Sequence, residues 1–298
     1  MPASRPWLAV AIGACLMSAG TVGVLVQVRA EALATQREQV SALAQAVTDE
    51  TDRGLAATDA GLAAMRAELQ DGRLVAEAPD TANALRRRCQ GMPLVETLWL
   101  VDDAWNPIAA SDASPLPPVA ALSAAPDAPG RAGLVIGQPA PSTDVGQARV
   151  ILARRFGSLP GQASGWILAA VPEASLLGRF GASNPPRDTH LAIFRGDGVR
   201  LAGRLENSKG PSEPFSALRL TALHVDQIHR FRDGSERLVG MHDARHYDVT
   251  VVLTRDVDGV LSGWRTATRM AAGGLVLLVG LACAGVLLLR RRSQGARG

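Results

Sequence analysis

The chain has 298 residues, of which 47% are hydrophobic, 20% charged and 4% aromatic, and its net charge is +3. This apolar content with so low a net charge excludes an intrinsically disordered chain, and three cysteines are too few for a disulfide-rich scaffold. A positive mean hydropathy beside so few aromatic residues indicates that apolar residues are concentrated in membrane segments.

Two long segments carry no charged residue, residues 7–28 and residues 270–289. At the helical rise of 1.5 Å per residue, each would form a helix about 30 Å long, which matches the hydrocarbon core of a bilayer. The sequence therefore predicts two transmembrane helices.

The arginines set the predicted orientation. A run of three arginines starts at Arg290 without an acidic neighbour, and the positive-inside rule places such clusters in the cytoplasm. We therefore expect residues 1–6 and 290–298 on the cytoplasmic side of a bacterial inner membrane and residues 29–269 in the periplasm. The isoelectric point of about 9.1 then reflects the membrane-flanking ends, so it does not argue for nucleic-acid binding.

Two other interpretations of the first segment are weaker. Signal-peptide cleavage would use the Val-Arg-Ala sequence at 28–30, but the apolar run is longer than the roughly 7–15 residues of a signal h-region. The Ile-Gly-Ala-Cys sequence at 12–15 is similar to a bacterial lipobox, yet the following residues stay apolar where a lipoprotein normally turns polar. An uncleaved anchor fits both observations better.

Residues 29–72 predict a long amphipathic helix without proline. Its apolar residues repeat at near-heptad spacing: Leu33, Val40 and Val47, then Leu55, Leu62 and Leu69, with Leu43 and Met65 three residues after a repeat position. Such a stripe packs on its own domain or pairs with a second copy of the helix. We expect both, with the upper half against a sheet and the lower half against the partner of a homodimer.

The region 73–183 predicts a first module of short strands and helices. Apolar and alternating runs bounded by turn residues favour strands at 97–101, 107–111, 134–137, 149–156 and 165–171, with helices at 81–90 and 173–180. Five prolines among alanines and serines make 114–131 a surface loop.

The region 184–269 repeats this pattern after a linker at 184–188. Strands are predicted at 190–194, 199–204, 228–232, 237–242 and 249–254, with a helix at 214–221 and another at 256–270 that continues into the second apolar segment. The Asp-Gly pair at 233–234 is the strongest hairpin signal in the chain. The predicted fold class is α+β.

Four stretches in this order resemble the double Cache (PDC, PAS-like) sensor region of bacterial receptors. They are LWLVDDAWNPIAAS (98–111), ARVILARRFGSLPGQASGWILAAVPEASLLGRF (148–180), LAIFRGDGVRLAGR (191–204) and HRFRDGSERLVGMHDARHYDVTVVLTRDVDGVLSGWR (229–265). The resemblance implies two tandem PAS-like modules after a long helix, a membrane-distal one at 73–183 and a membrane-proximal one at 184–269.

The same resemblance carries an expectation about signalling. Membrane diguanylate cyclases and sensor histidine kinases of this kind place an output domain after the second span, whereas only nine residues follow Leu289 here. The expectation is that catalytic output belongs to a separate cytoplasmic or membrane partner chain.

Asp102, Arg154 and Trp166 are the candidate ligand-binding residues. A pocket for a small anion or zwitterion needs a few convergent polar groups in an apolar wall. Arg154 would clamp a carboxylate in bidentate fashion, Asp102 would accept from an ammonium group, and Trp166 would offer a stacking face. By the resemblance, these positions fall on strands that line the family's pockets. In the alternative interpretation Arg154 pairs with a surface acid and Trp166 belongs to the core.

Other chemistry finds little support in the sequence. The histidines of HDARHYD (242–248) would lie together only on a helix, and here they span a strand end and a turn, so we predict no metal site. No G-x-S-x-G, P-loop or G-x-G-x-x-G frame is present, so we predict neither an enzyme nor a cofactor.

Cys89, the one cysteine between the apolar segments, is expected to be buried as a small apolar residue, with a disulfide to a second copy as the alternative.

The sequence leaves two functions open. The first is a periplasmic sensor that binds a small molecule and signals through another chain. The second is a receptor remnant without a small-molecule ligand that serves as a protein-interaction scaffold.

Overall fold

The computed structural model describes residues 5–118, 122, 133–141, 148–157, 164–178, 180, 188–204, 228–231 and 234–295. The chain divides into two compact units. One consists of residues 39–255, and the other of the residues up to 38 together with those from 256 onward.

Helix α1 is a single helix over Arg5–Gln70. Within the unit 39–255 it buries the predicted near-heptad stripe, including Val40, Val47, Leu55, Leu62 and Met65. The predicted packing of this helix on its own domain is therefore confirmed.

One predicted position of the stripe is wrong. Leu43 is 41% exposed, whereas the next residue, Ala44, is fully buried. At 100° per residue, position 44 lies about 40° from Val40 around the helix and position 43 about 60° away on the other side. The small alanine thus takes the inward place.

The first sheet follows helix α2 (Thr81–Gln90), which begins and ends where the sequence predicts. Its strands are β1 (Thr97–Asp102), β2 (Pro107–Ala110), β3 (Val135–Pro141), β4 (Ala148–Phe156) and β5 (Gly165–Pro172), followed by the short helix α3 (Glu173–Leu176). The strands lie in the order β2-β1-β5-β4-β3, with antiparallel neighbours.

The second sheet repeats this topology. Its strands are β6 (Thr189–Arg195), β7 (Arg200–Arg204), β8 (Ile228–Arg230), β9 (Glu236–Asp243) and β10 (Val249–Asp256). Their order, β7-β6-β10-β9-β8, is the order of the first sheet with every number raised by five. The α+β class, with a long N-terminal helix and two tandem antiparallel sheets, is confirmed.

One apolar core joins α1 to one face of each sheet. In the first sheet Leu98, Leu100 and Ile167 belong to this core, while Trp99 and Leu168 belong to a separate cluster on the opposite face. Successive side chains of a strand point to opposite faces, so adjacent residues are divided between the two clusters. We call the face towards α1 the inner face and the opposite one the outer face.

The other unit contains the two apolar helical segments. The second segment belongs to helix α5 (Ser262–Gly295), which follows the short helix α4 (Val257–Val260) after a turn at Leu261. The indole N–H of Trp264 donates to the carbonyl of Leu25 at 2.8 Å. The sequence predicted one unbroken helix from 256, and the turn at Leu261 separates it into two pieces.

Both apolar helical segments are long enough to cross a membrane. They lie in α1 from Ile12 onward and in α5 up to Gly285, and their apolar windows are not buried within the protein. Residues 184–187 of the predicted linker at 184–188, the helix at 214–221 and most of the loop at 114–131 lie outside the described residues.

Candidate functional site

The turn between β1 and β2 is held by one carboxylate. Asp102 accepts hydrogen bonds from the backbone N–H of Asn106 at 2.7 Å and from its side-chain amide at 2.9 Å. These bonds, the side-chain one first, hold the pKa of Asp102 below its ordinary value. Each carboxylate oxygen of the predicted ligand residue Asp102 thus accepts a hydrogen bond within its own turn.

This turn gives Trp105 a strained backbone. Its φ is +66°, the left-handed region that a bulky side chain rarely adopts, and such a conformation persists only where its surroundings enforce it. The enforcing bond runs from the Trp105 backbone N–H to the carbonyl of Asp102, at 3.0 Å. The strain directs the indole of Trp105 against that of Trp166, with ring centroids 6.0 Å apart and planes inclined by 13°.

Strand β5 positions Trp166 on the outer face. Trp166 pairs with Val101 on one side and with Arg155 on the other. The preceding residue is Gly165, where an added Cβ would overlap the carbonyl oxygen of Val101. The close approach of β1 and β5 at this point therefore requires glycine.

Two charged side chains flank the stacked indoles. The guanidinium of Arg155 lies 6.0 Å from the ring centroid of Trp166 and 3.3 Å from the carboxylate of Asp103. Asp103 also accepts a hydrogen bond from the Ser164 hydroxyl. The side chains of Arg155 and Asp103 are 62% and 44% exposed, so both are accessible. We call Asp103, Trp105, Arg155, Ser164 and Trp166 the outer-face cluster.

A buried apolar layer supports this cluster. Trp99 is buried beside it and donates its indole N–H to the carbonyl of Ser114 at 3.2 Å. Val101, Ile151 and Leu168 are fully or nearly fully buried in the same layer. The outer face thus offers apolar walls, two indole faces, one cation and one carboxylate, the chemistry that a small zwitterion requires.

Arg154 lies on the inner face. It pairs with Ile167, whereas its neighbour Arg155 pairs with Trp166. Its guanidinium forms an ion pair with Asp59 of α1, and the two side chains are only 15% and 13% exposed. Arg154 is therefore held by an acid of α1 that is largely screened from solvent.

The structure does not bring the three sequence candidates together. Trp166 lies on the outer face, Arg154 points to the opposite face, and Asp102 closes a turn. Sequence reasoning missed Arg155 and Asp103, although each is adjacent to a residue that it chose. The signal that could have found them is the two-residue period of strands, which the apolar residues on both faces of β4 obscure.

A second polar cluster lies next to Arg154. Asp52 of α1 accepts from the ring Nδ1 of His246 at 2.7 Å and from the His246 backbone N–H at 3.2 Å. Burial, followed by the charges of Asp59 and Asp52, raises the pKa of Tyr247 to about 12. We call Asp52, Asp59, Arg154, His246 and Tyr247 the junction cluster, because it joins α1, the first sheet and the β9–β10 loop.

The remaining sequence candidates have simple partners. The ring Nε2 of His242 lies 3.1 Å from the hydroxyl of Ser41. Within the part of the chain that the structure describes, no group of three or more His, Cys, Asp or Glu side chains could hold a metal ion. Cys89 is a half-buried free thiol 3.2 Å from the carbonyl of Glu96, and burial raises its pKa.

No protein-family model and no curated protein matches the sequence. Several solved structures, in contrast, are similar to this chain in fold. The extracellular domain of rpHK1S-Z16, a protein assigned as a histidine kinase, superposes with a TM-score of 0.62 at 17% identity, over 78% of this chain and 99% of that one.

Two chemoreceptor domains are also similar. The ligand-binding domain of Pseudomonas fluorescens CtaA in complex with L-alanine has a TM-score of 0.53 at 14% identity, over 75% of this chain and 98% of that one. That of Pseudomonas aeruginosa PAO1 PctB in complex with L-Arg has a TM-score of 0.52 at 13% identity, over 75% and 96%.

These neighbours are the extracellular domain of a protein assigned as a histidine kinase and the ligand-binding domains of two chemoreceptors. The chain shares the fold of these domains, and its two candidate membrane helices lie before and after that region in the sequence. The resemblance to a double Cache sensor region is thereby confirmed at the level of the fold.

Proposed function

We propose that the chain is a membrane-anchored sensor that binds a small zwitterion, of the amino-acid class, at the outer-face cluster. The observation that carries the proposal is the stacked pair Trp105 and Trp166, held in place by a strained backbone within a sensor fold. Trp105 is only partly buried, and backbone strain at such an aromatic residue is often found at binding sites.

The cluster matches the two ends of an amino acid. Arg155 supplies a planar guanidinium for a carboxylate, Asp103 supplies an acceptor for an ammonium group, and the indoles supply a stacking surface. Arg155 and Asp103 now pair with each other across 3.3 Å. Because an exposed pair of this kind contributes only about 0–1 kcal/mol, a ligand can separate the two charges at little cost. The L-alanine and L-arginine complexes of the two chemoreceptor domains support this ligand class.

The membrane topology is part of the proposal. Residues 29–269 lie in the periplasm of a bacterium and both ends lie in the cytoplasm, as the arginine distribution predicts. Ligand binding shifts the protein between two arrangements only if the ligand binds one of them more tightly. The signal then passes to a separate partner chain, from a homodimer whose subunits meet along α1.

One observation favours a second candidate function. Tryptophan and arginine are enriched among the residues that dominate protein–protein hot spots, and the outer-face cluster contains the partly buried Trp105 and Trp166 and the exposed Arg155. A scaffold that docks another protein on this face is therefore the alternative.

Thermal unfolding of the full chain in lipid nanodiscs tests the proposal. The panel contains amino acids, organic acids, polyamines and nucleobases. A ligand at a hundredfold its dissociation constant adds about 2.7 kcal/mol, and we expect an upward shift of the midpoint with at least one amino acid.

The matched control uses a second exposed arginine pair. Arg155→Ala should abolish the shift, whereas Arg230→Ala should retain it, because Arg230 pairs with Glu236 on the second sheet at a similar exposure. A well-folded chain that responds to no compound would contradict the sensor proposal and favour the scaffold. A shift that survives Arg155→Ala would place the ligand elsewhere.

A further inference from the structure

We propose that Arg154 is a positioning residue that relays a change at the outer-face cluster to helix α1. This inference rests on the proposed function, because it assigns the route by which that site acts on the membrane-rooted helix. The sequence alone placed Arg154 in the ligand pocket, and the structure gives it a different neighbour.

The relay begins with two adjacent arginines on β4. Arg155 lies over Trp166 on the outer face, and Arg154 meets Asp59 on the inner face. Only one peptide unit separates them. Strand β4 lies between β5 and β3, and its central residues are buried on both faces. A displacement of Arg155 by a ligand therefore moves the backbone that carries Arg154, since close-packed interiors transmit strain.

The ion pair between Arg154 and Asp59 receives this movement on α1. Both side chains are largely screened from water, at 15% and 13% exposed. Charges in such surroundings interact more strongly than exposed ones, so a shift of the guanidinium acts directly on the helix. The exposed charges of Arg155 and Asp103, 3.3 Å apart, interact more weakly and are easily separated.

Arg154 also has an unused hydrogen-bond donor. Its Nε is buried and has no hydrogen-bond partner among the described residues. A buried donor without a partner is unfavourable, so the present arrangement does not fully satisfy the guanidinium.

The junction cluster extends this contact to the second sheet. Asp52 lies two turns before Asp59 on α1 and binds His246 of the β9–β10 loop at 2.7 Å. Helix α1 is thus held by one carboxylate to the first sheet and by another to the second. A relay through Asp59 changes the position of α1 relative to a fixed point at Asp52.

Hydrogen exchange of α1 in the full chain tests the relay, with the chain in nanodiscs and L-alanine and L-arginine as the probes. Binding is measured separately by thermal shift and indole fluorescence. Two coupled sites typically change each other's equilibria by about 5- to 150-fold. In the unaltered chain and in Arg154→Lys, we expect a probe to change the exchange rates of α1 by an amount in this range.

The decisive variant is the double substitution Asp59→Leu/Arg154→Met, which removes both buried charges and so avoids leaving one unpaired. We expect this variant to bind the probe within about threefold of the unaltered chain while the response of α1 is lost. Loss of binding in the double variant would make Arg154 a ligand group and overturn the relay. Retention of both binding and the α1 response would also overturn it.

A ligand-independent experiment separates this inference from the proposed function. Tyr247 is the chain's single tyrosine, so the ultraviolet absorbance of its phenolate reports on the junction cluster alone. If the relay exists, Arg155→Ala shifts the titration midpoint of Tyr247 in the unaltered background and not in the double variant, while Arg230→Ala leaves it unchanged. If no compound of the thermal-shift panel binds but this shift is seen, the proposed function fails and the relay stands. An unchanged midpoint in Arg155→Ala means that the relay is wrong, whatever the ligand.

Discussion

The two sheets share one strand order but differ at the turn of their opening hairpins. In the second sheet the left-handed position of that turn is occupied by Gly198, with φ of +86°. In the first sheet Trp105 has the left-handed φ, at +66°. Glycine adopts this conformation without steric penalty and tryptophan does not. The first hairpin therefore retains a strained aromatic residue where the second uses the residue that a turn favours.

The outer faces of the two sheets differ in the same sense. On the second sheet Phe194 and Phe231 are buried, and Arg237 is only 1% exposed, with its guanidinium 4.8 Å from the ring centroid of Phe231. On the first sheet the arginine beside the indoles is 62% exposed. The aromatic and charged side chains on the outer face of the second sheet are buried, whereas the first sheet has an accessible arginine beside its indoles. This contrast favours the first sheet as the place of ligand binding.

The largest expected effect concerns the ion pair between Arg154 and Asp59. Replacing one partner alone, as in Asp59→Leu or Arg154→Met, should lower the free energy of unfolding by at most about 3–5 kcal/mol, because it leaves the other, largely screened charge unpaired. The double variant should recover most of that loss. Denaturant unfolding of the three variants measures the coupling. Equal and additive losses would show that the two charges do not interact.

A smaller effect is expected where β1 and β5 approach each other. A methyl group at Gly165 would overlap the carbonyl oxygen of Val101, so Gly165→Ala should lower the free energy of unfolding by about 1–3 kcal/mol. Gly91 is the control, because its φ of −84° is one that alanine adopts readily. Equal midpoints for Gly165→Ala and Gly91→Ala in thermal unfolding would show that the two strands separate without cost.

Exchanging the turn residues tests the comparison of the hairpins directly. Gly198→Ala should lower the free energy of unfolding by about 1–2 kcal/mol, because a side chain at a left-handed position is strained. Trp105→Gly releases a similar strain in the first hairpin and removes one indole. We expect Trp105→Gly to unfold within a few degrees of the unaltered chain yet to lose its thermal response to amino acids. If Trp105→Gly keeps that response, the stacked indoles are not part of the ligand site.

The positions of the strands could be predicted from the sequence, but the faces of their side chains could not. Apolar runs bounded by glycine and proline located all five strands of each sheet, because such punctuation marks turns. In β4 and β5 both faces are buried, so their apolar residues form continuous runs without a visible two-residue period. The inner position of Arg154 and the outer position of Arg155 were therefore indistinguishable. Contacts such as that between Asp52 and His246, 194 positions apart, leave no local pattern in the sequence.

The smallest expected effect concerns the titration of Tyr247, which has no counterpart on the outer face of either sheet. Its pKa in the folded chain is raised from 10.0 to about 12, by burial first and then by Asp59 and Asp52. Because the raised pKa favours the neutral phenol in the folded state, its contribution to stability is fully present below pH 10 and is lost as the pH rises towards 12. Asp59→Asn removes one of the two negative charges and should bring the midpoint closer to 10, whereas Asp103→Asn, on the other side of the first sheet, should not. Phenolate absorbance of the folded chain measures both midpoints, and a response to Asp103→Asn as large as that to Asp59→Asn would show that the inner and outer faces are not electrostatically separate.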